Sequence, residues 1–169
     1  MKPLRATLLL ALFAGCGRPP DPGACELALG TAAGDGVTFA DMPAAATLTP
    51  GAQGGFHLWL DYRIKNAPMG AVTAAHTVRR EPDGKLLSRG ERKLEVGVAG
   101  DDGWWLPDAA TPAFLCPTPL GVSVIDTPAV FEVTLTDADG NILATEQAHT
   151  RIECPDDAQK DFCLRVCAG

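Results

Sequence analysis

The sequence predicts an all-β protein, an antiparallel β-sandwich with immunoglobulin-like architecture. From Phe56 to Ile64 (FHLWLDYRI), apolar residues occupy the even positions and mostly polar residues the odd ones. A period of two places five of these side chains on one face of a strand: Phe56, Leu58, Leu60, Tyr62 and Ile64. Polar turns separate this segment from other short alternating segments, which gives six or seven strands. No segment has the apolar repeat of a long amphipathic helix.

The N-terminal residues predict an export signal. Met1 to Arg5 (MKPLR) contains two bases, and Ala6 to Ala14 (ATLLLALFA) is an apolar run without charge. This run is much shorter than the roughly 20 residues that a transmembrane helix needs, but it has the length of a signal-peptide core. The following Leu12-Phe13-Ala14-Gly15-Cys16 resembles the lipobox of bacterial lipoproteins, where small residues precede an obligatory cysteine. The alternative is a plain signal peptide followed by a coincidental cysteine.

The resemblance to lipoproteins implies a lipid anchor. Residues 1–15 would be removed, and Cys16 would carry a thioether-linked diacylglycerol and an acyl chain, such as palmitate, on its amine. Two or three chains give stable attachment, because each buried methylene contributes about 0.8 kcal/mol and one chain alone binds only marginally. Gly17 is not the aspartate that retains such proteins in the inner membrane, so the resemblance favours the outer membrane.

The rest of the chain divides into a tether, one domain and a tail. Residues 16–23 contain the lipidated cysteine and a proline- and glycine-rich segment (GRPPDPG), which predicts a short stiff spacer. Residues 24–153 have the size of one sandwich domain. Residues 154–169 form a cysteine-rich C-terminal tail.

Two hairpins are predicted within the domain. Residues 71–80 and 85–99 flank the turn Glu81-Pro82-Asp83-Gly84, and residues 129–136 and 141–152 flank the turn Asp137-Ala138-Asp139-Gly140. Residues 103–122 are predicted to be a long connection. Its aromatic residues, Trp104, Trp105 and Phe114, either form a ligand platform or close one end of the core.

A glycine-rich segment precedes the strand that begins at Phe56. The stretch from Gly51 to Trp59 (GAQGGFHLW) resembles a Gly-Gly-aromatic-His strand start in uncharacterised, predicted lipoproteins, a resemblance that implies no activity. Physically, Pro50-Gly51 predicts a turn, and Gly54-Gly55 allows the backbone to pass close to a neighbour.

The charge distribution limits the partners. The whole chain has a net charge of −7. An acidic chain argues against nucleic-acid binding, which needs a basic surface. Residues 63–93 are nevertheless basic, with eight Lys and Arg against three acids. This stretch is either a solvated hairpin edge or a surface that contacts anionic lipid, glycan or an acidic protein. Its candidate residues are Arg79, Arg80, Arg92 and Lys93, and the tandem Trp104 and Trp105 are further candidates.

Five cysteines besides Cys16 predict disulfides, because an exported chain enters an oxidising compartment. They are Cys25, Cys116, Cys154, Cys163 and Cys167. Five thiols allow at most two internal bridges and leave one cysteine over. The short tail has little apolar surface with which to dock, so we expect at least one bridge from Cys154, Cys163 or Cys167 to Cys25 or Cys116. A helix beginning near Asp156 would place Cys163 and Cys167 on one face.

No catalytic motif or cofactor fingerprint is present in the sequence, which predicts a non-enzymatic protein without a cofactor. The segment Asp137-Ala138-Asp139-Gly140-Asn141 imitates the start of a calcium loop but lacks the glycine and the distal glutamate that the loop requires. His57, His76 and His149 lie on separate predicted strands, with His57 facing away from the apolar set and His76 joining it. The predicted function is a membrane-tethered binding or structural module of the cell envelope, with an envelope protein or glycan as partner. The alternative is a periplasmic copper- or zinc-handling lipoprotein.

Overall fold

The computed structural model describes residues 23–32 and 38–169. The predicted signal peptide, Cys16 and nearly all of the tether lie outside the described residues. The described part contains eleven strands and one helix: β1 (Glu26–Ala32), β2 (Phe39–Asp41), β3 (Ala45–Thr47), β4 (Thr49–Pro50), β5 (Phe56–Lys65), β6 (Gly70–Arg80), β7 (Leu86–Val96), β8 (Trp104–Trp105), β9 (Thr111–Cys116), β10 (Pro128–Thr136), β11 (Ile142–Glu153) and α1 (Lys160–Cys167). Within these residues, α1 is too short and too polar to cross a membrane.

The strands form two sheets packed face to face, which confirms the predicted all-β sandwich. In sheet A, β5 is central: β1 and β4 pair with one of its edges, β8 and β9 with the other, and β2 extends the sheet beyond β1. Sheet B has the order β3-β11-β10-β6-β7. All neighbouring strands are antiparallel except β3 and β11, which are parallel. Both predicted hairpins are confirmed, as β6–β7 and β10–β11.

The core lies between the sheets and follows the alternation in the sequence. On β5, the even-numbered side chains from Phe56 to Ile64 are buried. They face the other sheet, where Phe131, Val133 and Leu135 of β10 are fully buried. The odd-numbered residues of β5 lie on the outer face of sheet A, turned away from the core.

The sandwich has two ends that matter for function. At the end where β1 begins, called the tether end, Glu26 pairs with Lys65, Gly70 pairs with Val96, and residues 66–69, 97–103 and 137–141 form the connections. At the opposite end, called the far end, are the turns at residues 51–55 and 81–85 and helix α1. A chain that enters at Gly23 therefore approaches the domain from the tether end.

Residues 103–122 are not the long loop that the sequence predicts. They contain β8 and β9, both paired with β5, and Cys116 is the last residue of β9. A two-residue strand is too short to show alternation. In β9, Pro112 obscures the pattern, although proline is tolerated there because β9 is an edge strand.

Two disulfides hold the C-terminal tail, one of them to the sandwich and the other within the tail. Cys116 is bonded to Cys167, and Cys154 to Cys163, which leaves Cys25 unbridged among the described cysteines. The first bridge joins β9 to the end of α1, so the expected link between tail and domain is confirmed. Backbone hydrogen bonds from Thr118 N–H to the Val166 carbonyl and from Val124 N–H to the Cys167 carbonyl add to this attachment.

Candidate functional site

A cleft of about 650 Å³ opens on the outer face of sheet A at the far end. Its lining comes from the 51–55 turn, β5, β9 and the first residues of β7. The lining residues are Pro50, Gly51, Ala52, Gln53, Gly55, His57, Trp59, Leu87, Pro112, Phe114, Leu115, Cys116 and Pro117. None of them carries a formal charge at neutral pH when His57 is neutral.

Three aromatic rings form the floor and one wall of the cleft. His57 and Trp59 are alternate residues on β5, so both project from the outer face. Their rings meet edge to face, with centroids 4.5 Å apart at 89°. Phe114 is the pairing partner of His57 on β9, and its ring centroid lies 5.6 Å from the imidazole. Phe114 is 62% exposed. Its apolar ring therefore faces solvent beside the buried ring of His57.

The glycine turn before β5 closes the cleft on one side. Gly51 N–H donates to the Gly55 carbonyl, and Gly54 N–H donates to the Gly51 carbonyl. Gly54 has a φ of 82°, which favours glycine. At Gly55 a Cβ atom would lie 2.4 Å from the Cys116 carbonyl oxygen. The predicted close backbone approach is therefore confirmed, at Gly55.

His57 is buried in an unusual way, with 4% of its surface exposed and no hydrogen-bond partner for either ring nitrogen. It faces away from the core, as the alternation predicts, but Trp59, Phe114 and the Gly51 turn cover it. Burial lowers the pKa of His57, which keeps the imidazole neutral at neutral pH. An unpaired buried polar group costs about 1–3 kcal/mol, so a polar atom reaching this imidazole would relieve an existing penalty.

The other two histidines lie elsewhere. His76 faces the inside of the sandwich, as expected, and its ring lies against Gly90, where a Cβ atom would be 2.6 Å from the ring. His149 is exposed on the outer face of sheet B and contacts Glu81. The three histidines thus lie in three separate parts of the domain, and the described residues contain no group of three or more His, Cys, Asp or Glu that could hold a metal.

The segment at residues 137–141 is a hairpin turn. The Asp137 carboxylate accepts hydrogen bonds from the backbone N–H groups of Asp139 and Asn141 and from the Asn141 amide. The side-chain bond from Asn141 is the main reason that the pKa of Asp137 is lowered. The carboxylate thus stabilises the turn itself.

The basic candidates do not form one surface. Arg79 and Lys93 lie on the outer face of sheet B. Arg80 and Arg92 are at strand positions that face the other side of the sheet. Arg80 binds Asp83 and the Ser123 carbonyl at the far end. Arg92 binds Asp108 and the Ala109 carbonyl. These two guanidinium groups already have internal partners.

The tandem tryptophans lie at the tether end. The Arg63 guanidinium is 4.7 Å from the centroid of the Trp104 ring and 4.7 Å from that of Phe39, and the Lys65 ammonium is 5.9 Å from Trp104. Trp105 packs against the core. Neither tryptophan lines the cleft.

Sequence reasoning did not identify the cleft, although one signal was present. Trp59 occupies an odd position of β5, where the alternation places polar residues, so a large aromatic side chain points away from the core. The contributions of Leu87 from sheet B and of Pro112 have no such local signal, because they depend on how the strands come together.

Comparisons with known proteins do not identify a family. No family model matches the chain, and no curated protein matches it. Among solved structures, a Bacteroides uniformis β-glucuronidase is similar at 19% identity and a TM-score of 0.42, over 74% of this chain and 13% of that one. A calcium-binding mutant of Bacteroides uniformis β-glucuronidase 2 gives 19% and 0.41, with coverage of 74% and 13%. A putative β-galactosidase from Bacteroides fragilis gives 14% and 0.40, with coverage of 62% and 15%. The chain spans a small part of each, and these likenesses carry no function to it.

Proposed function

We propose that the chain is a lipid-anchored, non-enzymatic module of a bacterial cell envelope, held in the outer membrane through Cys16, which binds an uncharged and largely apolar ligand. The observation that carries the binding proposal is the cleft above His57. Binding sites for small ligands are typically concave, mostly apolar and equipped with a few polar groups, and this cleft has each of these properties.

Because no charged side chain lines the cleft, we expect its ligand to be uncharged. Charged residues make up 21% of this acidic chain, yet none lines the cleft. A charged ligand would lose water without gaining a partner, which is unfavourable. An uncharged ligand can instead stack on Phe114 and Trp59 and place a polar atom near His57 or Gln53.

The chemistry of the lining supports binding rather than catalysis. Cys116, the one thiol-derived sulfur in the lining, is held in a disulfide. The lining contains no Ser, Thr, Asp or Glu that could act with His57 as nucleophile or acid. A hydrolytic mechanism needs such a partner within hydrogen-bond reach of the base.

The position of the cleft suits a tethered module. His57 and Lys65 are eight positions apart on β5, which corresponds to about 26 Å. The tether approaches beside Lys65, because Glu26 pairs with that residue. A domain anchored at Cys16 would therefore present the cleft away from the lipid.

The binding proposal can be tested with Nile red, an uncharged apolar fluorophore. We expect its emission to rise with the wild-type domain and to fall back with Phe114→Ser. Leu120→Ser is the matched control, because Leu120 is 95% exposed at the same end but outside the cleft. Equal binding by all three proteins would contradict the assignment of the cleft.

The anchor needs a separate test, which is the mass of the mature N-terminal peptide and the membrane fraction of the protein in cells. We expect a diacylglyceryl modification on Cys16 and loss of membrane attachment with Cys16→Ala. Cys25→Ser is the control, because Cys25 is unbridged among the described cysteines and lies outside the predicted lipobox. An unmodified Cys16 in a membrane-free wild-type protein would refute the anchor.

A further inference from the structure

Three segments at the tether end each expose a large apolar side chain. Met69 follows β5, Val98 follows β7, and Ile142 begins β11; they are 74%, 84% and 69% exposed. A single exposed apolar residue is ordinary on a protein surface. At the tether end, however, the three lie on the side of the domain from which the predicted tether arrives.

Strand pairing places these three residues at the same end of sheet B. Gly70 pairs with Val96, so the connections that hold Met69 and Val98 are adjacent. Thr136 pairs with both Thr73 and Ile142, which puts the β10–β11 turn at the same end of sheet B. The next strand of sheet A there is β8, whose Trp104 pairs with Lys65.

Met69, Val98 and Ile142 are called the tips. The aromatic and basic residues beside them have the composition of a membrane interface. Trp104 is half-buried, with its ring against Arg63 and Lys65. Tryptophan with Lys or Arg is enriched at the headgroup level of membranes, where an apolar body and a polar edge are both satisfied. The described residues that line the cleft at the far end include Trp59 but no Lys or Arg.

The length of the tether limits how far this end can be from lipid. Seven residues, Gly17 to Gly23, separate the predicted acylated cysteine from the domain. At about 3.1 Å per residue for a proline-rich extended chain, they span about 22 Å. The tether end is thus the nearest part of the domain to the bilayer if Cys16 is acylated.

We propose that the tether end rests on the phospholipid surface that holds the anchor, with Met69, Val98 and Ile142 among the headgroups and Trp104 beside them. This inference rests on the proposed lipid anchor. It makes the domain oriented rather than freely rotating, with the cleft at the far end directed away from the lipid.

The charge of the tether end favours a zwitterionic lipid surface over an anionic one. The same connections expose Asp101, Asp102 and Asp139, which an anionic surface would repel. Arg63 and Lys65 supply two positive charges at this end against these three carboxylates. Arg79 and Arg80 lie at the other end of β6, adjacent to the 81–85 turn, so the carboxylates remain in excess. Docking should therefore be stronger on phosphatidylcholine or phosphatidylethanolamine vesicles than on phosphatidylglycerol vesicles.

The three tryptophans of the chain provide the test, since Trp104 and Trp105 lie at the tether end and Trp59 lies in the cleft. Lipidated protein is reconstituted in phosphatidylcholine vesicles whose acyl chains are brominated near the headgroup, because bromine quenches nearby tryptophan. We expect strong quenching in Trp59→Phe, which retains the tether-end pair, and little in the Trp104→Phe/Trp105→Phe protein. Replacing the tips (Met69→Ser, Val98→Ser and Ile142→Thr) in the Trp59→Phe background should remove most of the quenching, and Leu120→Ser should not change it.

Two controls separate this proposal from the anchor. Flotation of the protein with the vesicles and the lipid mass on Cys16 report attachment independently of orientation. Attached protein whose Trp104 and Trp105 are not quenched, or whose quenching survives replacement of all three tips, overturns docking and leaves the anchor intact. An unmodified Cys16 overturns both.

Discussion

The Sγ atom of Cys163 lies 3.8 Å from the Sγ atom of Cys167, although the two cysteines belong to different disulfides. Helix α1 causes this proximity, because residues four apart share one helix face. The two bridges that hold the tail therefore meet at one buried point.

This proximity predicts disulfide exchange in a Cys154→Ser protein. The change frees the Cys163 thiol beside the Cys116–Cys167 bridge, and a thiolate can attack a disulfide sulfur through a mixed disulfide. We expect non-reducing peptide mapping to find Cys163 bonded to Cys116 or Cys167 in part of the molecules. The Cys154→Ser/Cys163→Ser protein, which has no thiol beside this bridge, should retain the Cys116–Cys167 bridge alone.

The two bridges should differ in their contribution to stability. Cys116–Cys167 closes a separation of 51 residues and Cys154–Cys163 one of 9. The chain-entropy model gives about 4 kcal/mol for the longer loop and about 2.6 kcal/mol for the shorter. We therefore expect urea unfolding to show a larger loss in Cys116→Ala/Cys167→Ala than in Cys154→Ala/Cys163→Ala. The reverse order would mean that native packing, not loop closure, dominates.

The parts of the fold that the sequence predicts are those with a local period. β5 and β10 alternate over nine or ten residues, and each turn of the two long hairpins contains glycine where φ is positive: Gly84 and Gly140. β8 and β4 have two residues each, so no period can appear, and they exist because β5 offers a free edge.

The candidate sites show the same limit. The basic stretch is continuous in sequence, but strand alternation and internal partners divide it among surfaces. The cleft depends on Leu87, Pro112 and the 51–55 turn meeting above His57. Contacts of this kind are fixed by the packing of distant segments, and no local pattern of residue types encodes them.

A steric test addresses His76. A Cβ atom at Gly90 would lie 2.6 Å from the His76 ring, so we expect Gly90→Ala to lower the free energy of unfolding by about 1–3 kcal/mol. In the background of His76→Ala the ring is gone and the same change should be nearly neutral. A double-mutant cycle measured by urea unfolding gives the coupling. Additive effects would show that the ring is not the obstacle.

Acid should destabilise the domain through its buried histidines. Burial lowers the pKa of both His57 and His76 below the ordinary value of 6.5. The unfolded chain then binds protons before the folded one, so stability is complete above about pH 6.5 and falls below it, by at most about 1.4 kcal/mol per pH unit for each histidine. We expect unfolding free energies between pH 7.5 and pH 5 to depend less on pH in His76→Phe than in wild type. A slope in His76→Phe equal to that of wild type would show that His76 does not contribute to the acid sensitivity.

Asp61 gives the opposite dependence on pH. It is buried on β5, where its Oδ1 accepts the Tyr62 N–H at 2.9 Å and its Oδ2 has no partner. Tyr62 lies between Leu60, which pairs with β9, and Ile64, which pairs with β8, so the carboxylate supplies an acceptor where β5 lacks a strand. Burial raises the pKa of Asp61, against smaller opposing effects from the Tyr62 N–H and from Arg92.

The folded state therefore disfavours ionised Asp61, and this penalty appears as the pH rises from the unfolded pKa near 3.8 through the folded value. Asp61→Asn keeps an acceptor for the Tyr62 N–H but cannot ionise. We expect the stability of Asp61→Asn relative to wild type to increase between pH 3 and pH 7, by at most about 1.4 kcal/mol per pH unit. Asp61→Ala removes the acceptor and should be less stable than Asp61→Asn by about 1–3 kcal/mol at every pH. A stability difference between Asp61→Asn and wild type that does not change with pH would show that Asp61 is ionised in the folded protein at no net penalty.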